Sequence, residues 1–189
     1  MHRIAFIRHR ENGNEVKVGI DSGDDKSTLT LGVSFFDSLG LSVGDSLCDE
    51  DLAPLLEEDE RRRCMKRALS ILAYADNSKR LLYTKLKRAG YSSSLARECV
   101  TDCERLGYID EKKQLLRLVA HEANSTLRGP VRIKAHLAGR GYSPRDIDEA
   151  IEILTSRGEV DFELNFERLS ERFPEGTDEF LVKYKYGYK

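Results

Sequence analysis

The chain lacks the features that would place it in a membrane, in an oxidising compartment or among the common enzyme classes. No run of about 18 apolar residues is present to span a bilayer, and residues 1–10 hold no signal-peptide hydrophobic block, so a cytoplasmic protein is expected. The four cysteines, Cys48, Cys64, Cys99 and Cys103, include no CxxC pair and no accompanying histidine cluster. Cys99 and Cys103 share one helix face at i and i+4, where buried thiols act as small hydrophobes, which outweighs a zinc or redox site. His2, His9, His121 and His136 are scattered, and His121-Glu122 has no second histidine four residues on, so the zinc-protease helix is missing. There is no glycine-rich loop ending in Lys-Ser/Thr; the glycines at Gly90 and Gly141 read as helix stops instead. Carboxylates concentrate in an acidic run that reads as solvated rather than as an acid–base pair. No catalytic residue, no metal and no cofactor is expected.

What the chain does contain is a repeat. Residues 64–75, 78–89 and 93–106 read as three short helices, stopped at Gly90-Tyr91 and Gly107. Gly90-Tyr91 recurs as Gly141-Tyr142, a shift of 51, and Gly107 recurs as Gly158. Apolar positions follow the same shift: Leu82 maps to Ile133, Leu86 to Leu137 and Cys103 to Leu154. Self-similarity at a fixed period, in units too small to bury their own apolar faces, predicts stacked helical modules. The expected fold is mainly α: tandem three-helix modules at residues 64–110 and 111–161 and a truncated third at 162–189. A small β-rich unit (1–50) precedes them, joined by an acidic-to-basic helical linker (51–63). Within the β unit, strands are expected at 3–7, 15–20 and 27–31 and around Leu47, with turns at Asn12-Gly13-Asn14 and Gly23-Asp24-Asp25 and a short helix capped by Ser34. Pro54 is expected in the first turn of a helix running to Ala75. Asn77 or Ser78, residues 92–94, Asp110 and Ser143-Pro144 are the expected helix starts, and Asp110 opens a helix reaching about Leu127.

Charge is distributed unevenly. Residues 1–60 carry 5 Lys/Arg against 14 Asp/Glu, while residues 61–161 carry 21 against 13. In residues 61–90, ten basic residues, Arg62 and Lys66 among them, accompany the single acid Asp76. Such a block repels itself unless something negative lies against it. Lys79 and Lys87 are spaced at i and i+8 with Arg80 and Arg88 beside them, opposite the Leu82/Leu86 seam. Arg128, Arg132, Lys134 and Arg140 form a parallel group with no acid between Arg128 and Arg145. Stacked modules would align these ten cations into a ridge fitted to phosphate backbones or an acidic protein groove. Tyr91, Tyr142 and Tyr188 follow glycine in each module; packing over the turn explains that recurrence better than base stacking does.

These residues resemble the RecX proteins, the bacterial regulators of the RecA recombinase. The likeness rests on Ala68-Leu69 and Leu72 leading to a Ser-capped helix, Leu86 four residues before Gly90-Tyr91, and Leu106-Gly107-Tyr108-Ile109-Asp110 closing the module. Its most specific part is Gly129-Pro130 followed by Ile133, Leu137 and Arg140-Gly141-Tyr142, and the Gly44-Asp45 turn is similar to that of longer members. The chain departs from the family at Asn77-Ser78, where Arg-Ser is usual, and at Asp110-Glu111, where two aspartates are usual. The resemblance implies a non-enzymatic monomer of DNA repair, recombination and the SOS response. It would bind in the groove of the RecA filament on single-stranded DNA, direct contact to the DNA being a further option, and either inhibit its ATP hydrolysis and strand exchange or promote its disassembly, inhibition being the first choice. Two other readings of the residues are a direct DNA-binding protein with helix-turn-helix-like modules and a protein-interaction scaffold unrelated to recombination.

Overall fold

The computed structural model describes residues 1–10, 13–23 and 25–188. Asn12 and Asp24, expected in turns, lie outside the described residues. Alternating apolar and polar residues build an antiparallel sheet from β1 (His2–His9), β2 (Glu15–Asp21), β3 (Lys26–Gly32) and β4 (Ser46–Leu47), in the order β3-β2-β1-β4. Its inner face buries Ile4, Val16, Val18, Ile20, Leu29 and Leu31 against Phe36 of α1 (Val33–Leu39) and against Leu52 and Leu55 of α2 (Asp49–Tyr74). A bulge between Ile4 and Phe6 turns Phe6 to the outer face, where its ring covers Gly19 so closely that a Cβ there would overlap it. α1 is entered from Gly32 with no side-chain cap, so Ser34 does not cap it as expected.

α2 starts five residues before the expected Pro54. The Asp51 carboxylate accepts the Cys48 backbone N–H at 3.1 Å, and Asp49, Glu50 and Asp51 place negative charge at the positive end of the helix dipole. Pro54 therefore sits inside the helix, where it removes the N–H that would have donated to the Glu50 carbonyl. The helix continues because one side of it is claimed twice: Leu52 and Leu55 by the sheet, Cys64 and Ala68 by the first module. Between these, buried Asp59 accepts the Thr30 backbone N–H at 2.7 Å and pairs with Arg63 at 2.9 Å, so the helix satisfies an edge donor of β3.

The first module is completed by α3 (Lys79–Arg88) and α4 (Ser93–Arg105). The second holds α5 (Glu111–Asn124), α6 (Pro130–Gly139) and α7 (Pro144–Ser156). Leu82 and Leu86 of α3, and their repeat partners Ile133 and Leu137 of α6, are all fully buried. Ser78, Ser92, Asp110 and Asp161 cap their helices, accepting backbone N–H groups at 3.0–3.2 Å. Ser143 makes no cap bond; Pro144 at the first helical position fixes the entry to α7 instead. α5 ends at Asn124, short of the expected Leu127. Leu127 has a left-handed φ of 53° and is buried in a further apolar cluster with Leu169 of α8 (Phe162–Ser170) and Val182 of α9 (Glu179–Tyr186). The fold is mainly α: two complete three-helix modules and a third with two helices among the described residues, after a small N-terminal sheet.

Candidate partner-binding surface

The second helices of the three modules meet end to end. Gly129 and Val131, at the start of α6, donate their backbone N–H groups to the carbonyls of Tyr186 and Gly187, at the end of α9, at 2.7 and 3.1 Å. At the next joint the Ser78 hydroxyl, capping α3, donates to the Arg140 carbonyl at the end of α6 at 2.7 Å. The Arg140 guanidinium reaches back to the Asp76 carbonyl at 2.9 Å. At the first joint orphan N–H donors of a helix start thus meet orphan carbonyls of a helix end, and at the second a capping hydroxyl and a guanidinium make the connection. Glycine is required at both joints: a Cβ on Gly129 would overlap the Gly187 carbonyl, and one on Gly141 (φ 89°) would lie 2.8 Å from the Ser78 hydroxyl oxygen.

The expected cations lie on α2, on α3 and in or beside α6, in three different situations. Some are held internally. Arg62 pairs with Glu15 and Glu58 at 3.2 and 3.8 Å. Lys79 pairs with Glu104 and Glu111 at 2.8 and 3.8 Å, and the Glu104 bond holds its pKa above the ordinary lysine range. Arg128 pairs with buried Glu122 at 2.9 Å, beside His136 on the same carboxylate, and Lys134 pairs with Asp148. Two more serve the backbone: Arg140 as described, and Lys87 through its own turn at the Tyr91 carbonyl, 3.1 Å away. The remaining four, Lys66, Arg80, Arg88 and Arg132, are exposed with no ion-pair partner among the described residues. The expected ridge is therefore sparser than the charge count implies, because distant carboxylates claim several of its members. Arg80 and Arg132 each lie against a joint glycine, Gly141 and Gly187.

One feature was not anticipated from the residues. Tyr74, the last residue of α2, is 93% exposed. It lines a groove with Arg67, Ser70, Lys85 and Arg88, in which no carboxylate takes part. Its signal was present in the sequence as an aromatic residue inside the block of ten cations. The glycine-following tyrosines behave as packing groups. Tyr142 is buried, donates its hydroxyl to Gln114 at 2.9 Å and has its pKa pushed up to about 12 by burial. Tyr188 donates to the Leu127 carbonyl at 3.1 Å, and Tyr91 packs on the first module's core. Among the described residues no group of three or more His, Cys, Asp or Glu side chains is placed to hold a metal, and no helix is long and apolar enough to cross a membrane.

Fold and surface together define a tandem helical-module protein with a cationic face. Sequence comparison finds proteins named regulatory protein RecX. That of Clostridioides difficile is 22% identical over 160 residues, covering 85% of this chain and 71% of the relative. Those of Limosilactobacillus reuteri and Leuconostoc mesenteroides are 25% and 23% identical, matching 80% and 85% of this chain but 56% and 59% of their own lengths. The chain thus spans little more than half of those two relatives. No family model matches it. A crystal structure of a regulatory protein RecX aligns over 99% of this chain and 93% of its own at 20% identity, with a TM-score of 0.69. That of RecX from Lactobacillus salivarius covers 68% and 86% with a TM-score of 0.56. In sequence the chain is similar to these RecX proteins, and in fold to their crystal structures.

Proposed function

We propose that the chain regulates the RecA recombinase by docking its helix row on the RecA filament on single-stranded DNA and slowing ATP hydrolysis. Its relatives, named as regulatory proteins, support the regulatory part of this reading. The end-to-end joining of α9, α6 and α3 supports the surface: Arg132 lies against one joint glycine and Arg80 against the other, with Arg88 on the same helix as Arg80, so that successive helices offer cations to a polyanionic assembly. Titrating the protein into RecA, ATP and single-stranded DNA should lower the hydrolysis rate and shorten the filaments. Reversing Arg80, Arg88 and Arg132 to Glu should abolish both effects with helical content unchanged. Unaltered hydrolysis and filament length with the unmodified protein would overturn the proposal.

A second reading has its own observation. Exposed Tyr74 beside Arg67 and Arg88 combines an open ring face with phosphate-seeking cations, the pairing used to stack on single-stranded bases. Tight binding to naked DNA without any effect on RecA would select direct DNA binding instead.

A further inference from the structure

Between the sheet and the middle of α2 lies a cleft of about 530 Å³ that the RecA reading does not use. Arg10, Lys17, Arg62, Arg63 and Lys66 line it, against the single carboxylate of Glu15. Met65 and Leu69 add apolar wall. The three arginines are held by carboxylates: Glu15 holds Arg10 at 2.8 Å and Arg62 at 3.2 Å, and Asp59 holds Arg63 at 2.9 Å. Burial pushes the Glu15 pKa up, but the bonds from Arg10 and Arg62 outweigh it and hold the carboxyl below its ordinary value. The two lysines are different. Lys17 on β2 and Lys66 on α2 are exposed, have no ion-pair partner among the described residues, and approach the cleft from different elements.

Five lining cations against one lining carboxylate, with both lysines unpaired among the described residues, leave an excess of positive charge facing the cleft. An anion in the cleft offsets that excess. We infer that the cleft binds a phosphate group, supplied by a strand of single-stranded nucleic acid. A strand suits the surroundings better than a lone ion. Lys66 is followed directly by Arg67, which lines the neighbouring groove of Tyr74 and Arg88. Lys66 and Tyr74 are eight positions apart on one helix, about 12 Å at 1.5 Å per residue. Cations therefore continue along α2 from the sheet to an exposed ring, and Met65 and Leu69 offer apolar surface to a sugar or base. The N-terminal unit becomes one wall of a nucleic-acid contact.

The test is the anisotropy of a labelled oligothymidylate titrated with the full chain, beside a calorimetric titration with ATP as the other source of phosphate. Lys17→Glu and Lys66→Glu should each weaken strand binding about tenfold and make its salt dependence shallower by about one in slope. Arg172→Glu, the same charge change on an exposed residue elsewhere, should leave binding as it was. Both lysines are exposed, so thermal unfolding should match the parent and separate lost binding from lost folding. Loss of ATP affinity alone would keep the cleft as a phosphate site and make free nucleotide its ligand. Binding of both probes unchanged in both variants overturns the inference. Because this readout contains no RecA, its failure is separate from failure of the RecA effect.

Discussion

Cys64, Cys99 and Cys103 meet inside the first module, contributed by α2 and α4 and buried to 3% exposure or less. Burial pushes the Cys99 and Cys103 thiols up to about 12, and it also raises Cys64. The sign for stability follows from linkage. Below an unfolded thiol value of about 8.5 both states hold the proton, and the full stability is present. As pH climbs above that value the unfolded chain ionises while the native one does not, so stability is lost progressively toward about 12. Denaturant midpoints measured across this range should fall, and a Cys99→Ala/Cys103→Ala variant should fall less. At mildly alkaline pH a thiol reagent should modify exposed Cys48 at once and the other three only on unfolding. The inert character of these thiols was legible in the i, i+4 spacing of Cys99 and Cys103. The engagement of Arg62 and Lys79 was not, because the carboxylates that hold them, Glu15 and Glu104, stand 47 and 25 positions away. Local sequence shows a cation; only the fold shows its partner.

Helix starts and stops were readable where the signal is local. Ser78, Ser92 and Asp110 act through the N–H group three residues ahead, and Gly90, Gly107, Gly141 and Gly158 each supply a positive φ. The start of α2 was misplaced because the proline signal favours a first turn, whereas Asp51 and the paired demands of sheet and module extend the helix backward. The joints between second helices were not readable, since each depends on backbone groups brought together from separate modules. Gly129 gives the joint a direct test. Gly129→Ala forces a Cβ into the Gly187 carbonyl and should cost about 1–3 kcal/mol, the usual range for overpacking a close contact. Hydrogen exchange should place the added opening in α8 and α9, with the sheet unaffected; uniform or undetectable loosening would contradict the joint's role.

For the molecule as a whole, the repeat predicted the helical array, whereas the charge count did not show which cations of the ridge carboxylates hold. The modules also depend on one another more than their repetition suggests. Leu127 belongs by sequence to the second module but is buried with Leu169 and Val182 of the third. Removing residues 162–189 should therefore destabilise the second module itself, lowering its unfolding temperature and admitting protease at the α5–α6 connection. An unchanged midpoint for the shortened chain would show that the third unit is merely appended. The direction of the helix row adds a constraint on how the molecule is made. Ser78 waits for Arg140, 62 residues downstream, and Gly129 for Tyr186. A ribosome delivers the chain from its beginning, so Ser78 and Gly129 lack these partners until the following module has emerged, and the joints close like a zip drawn from the far end.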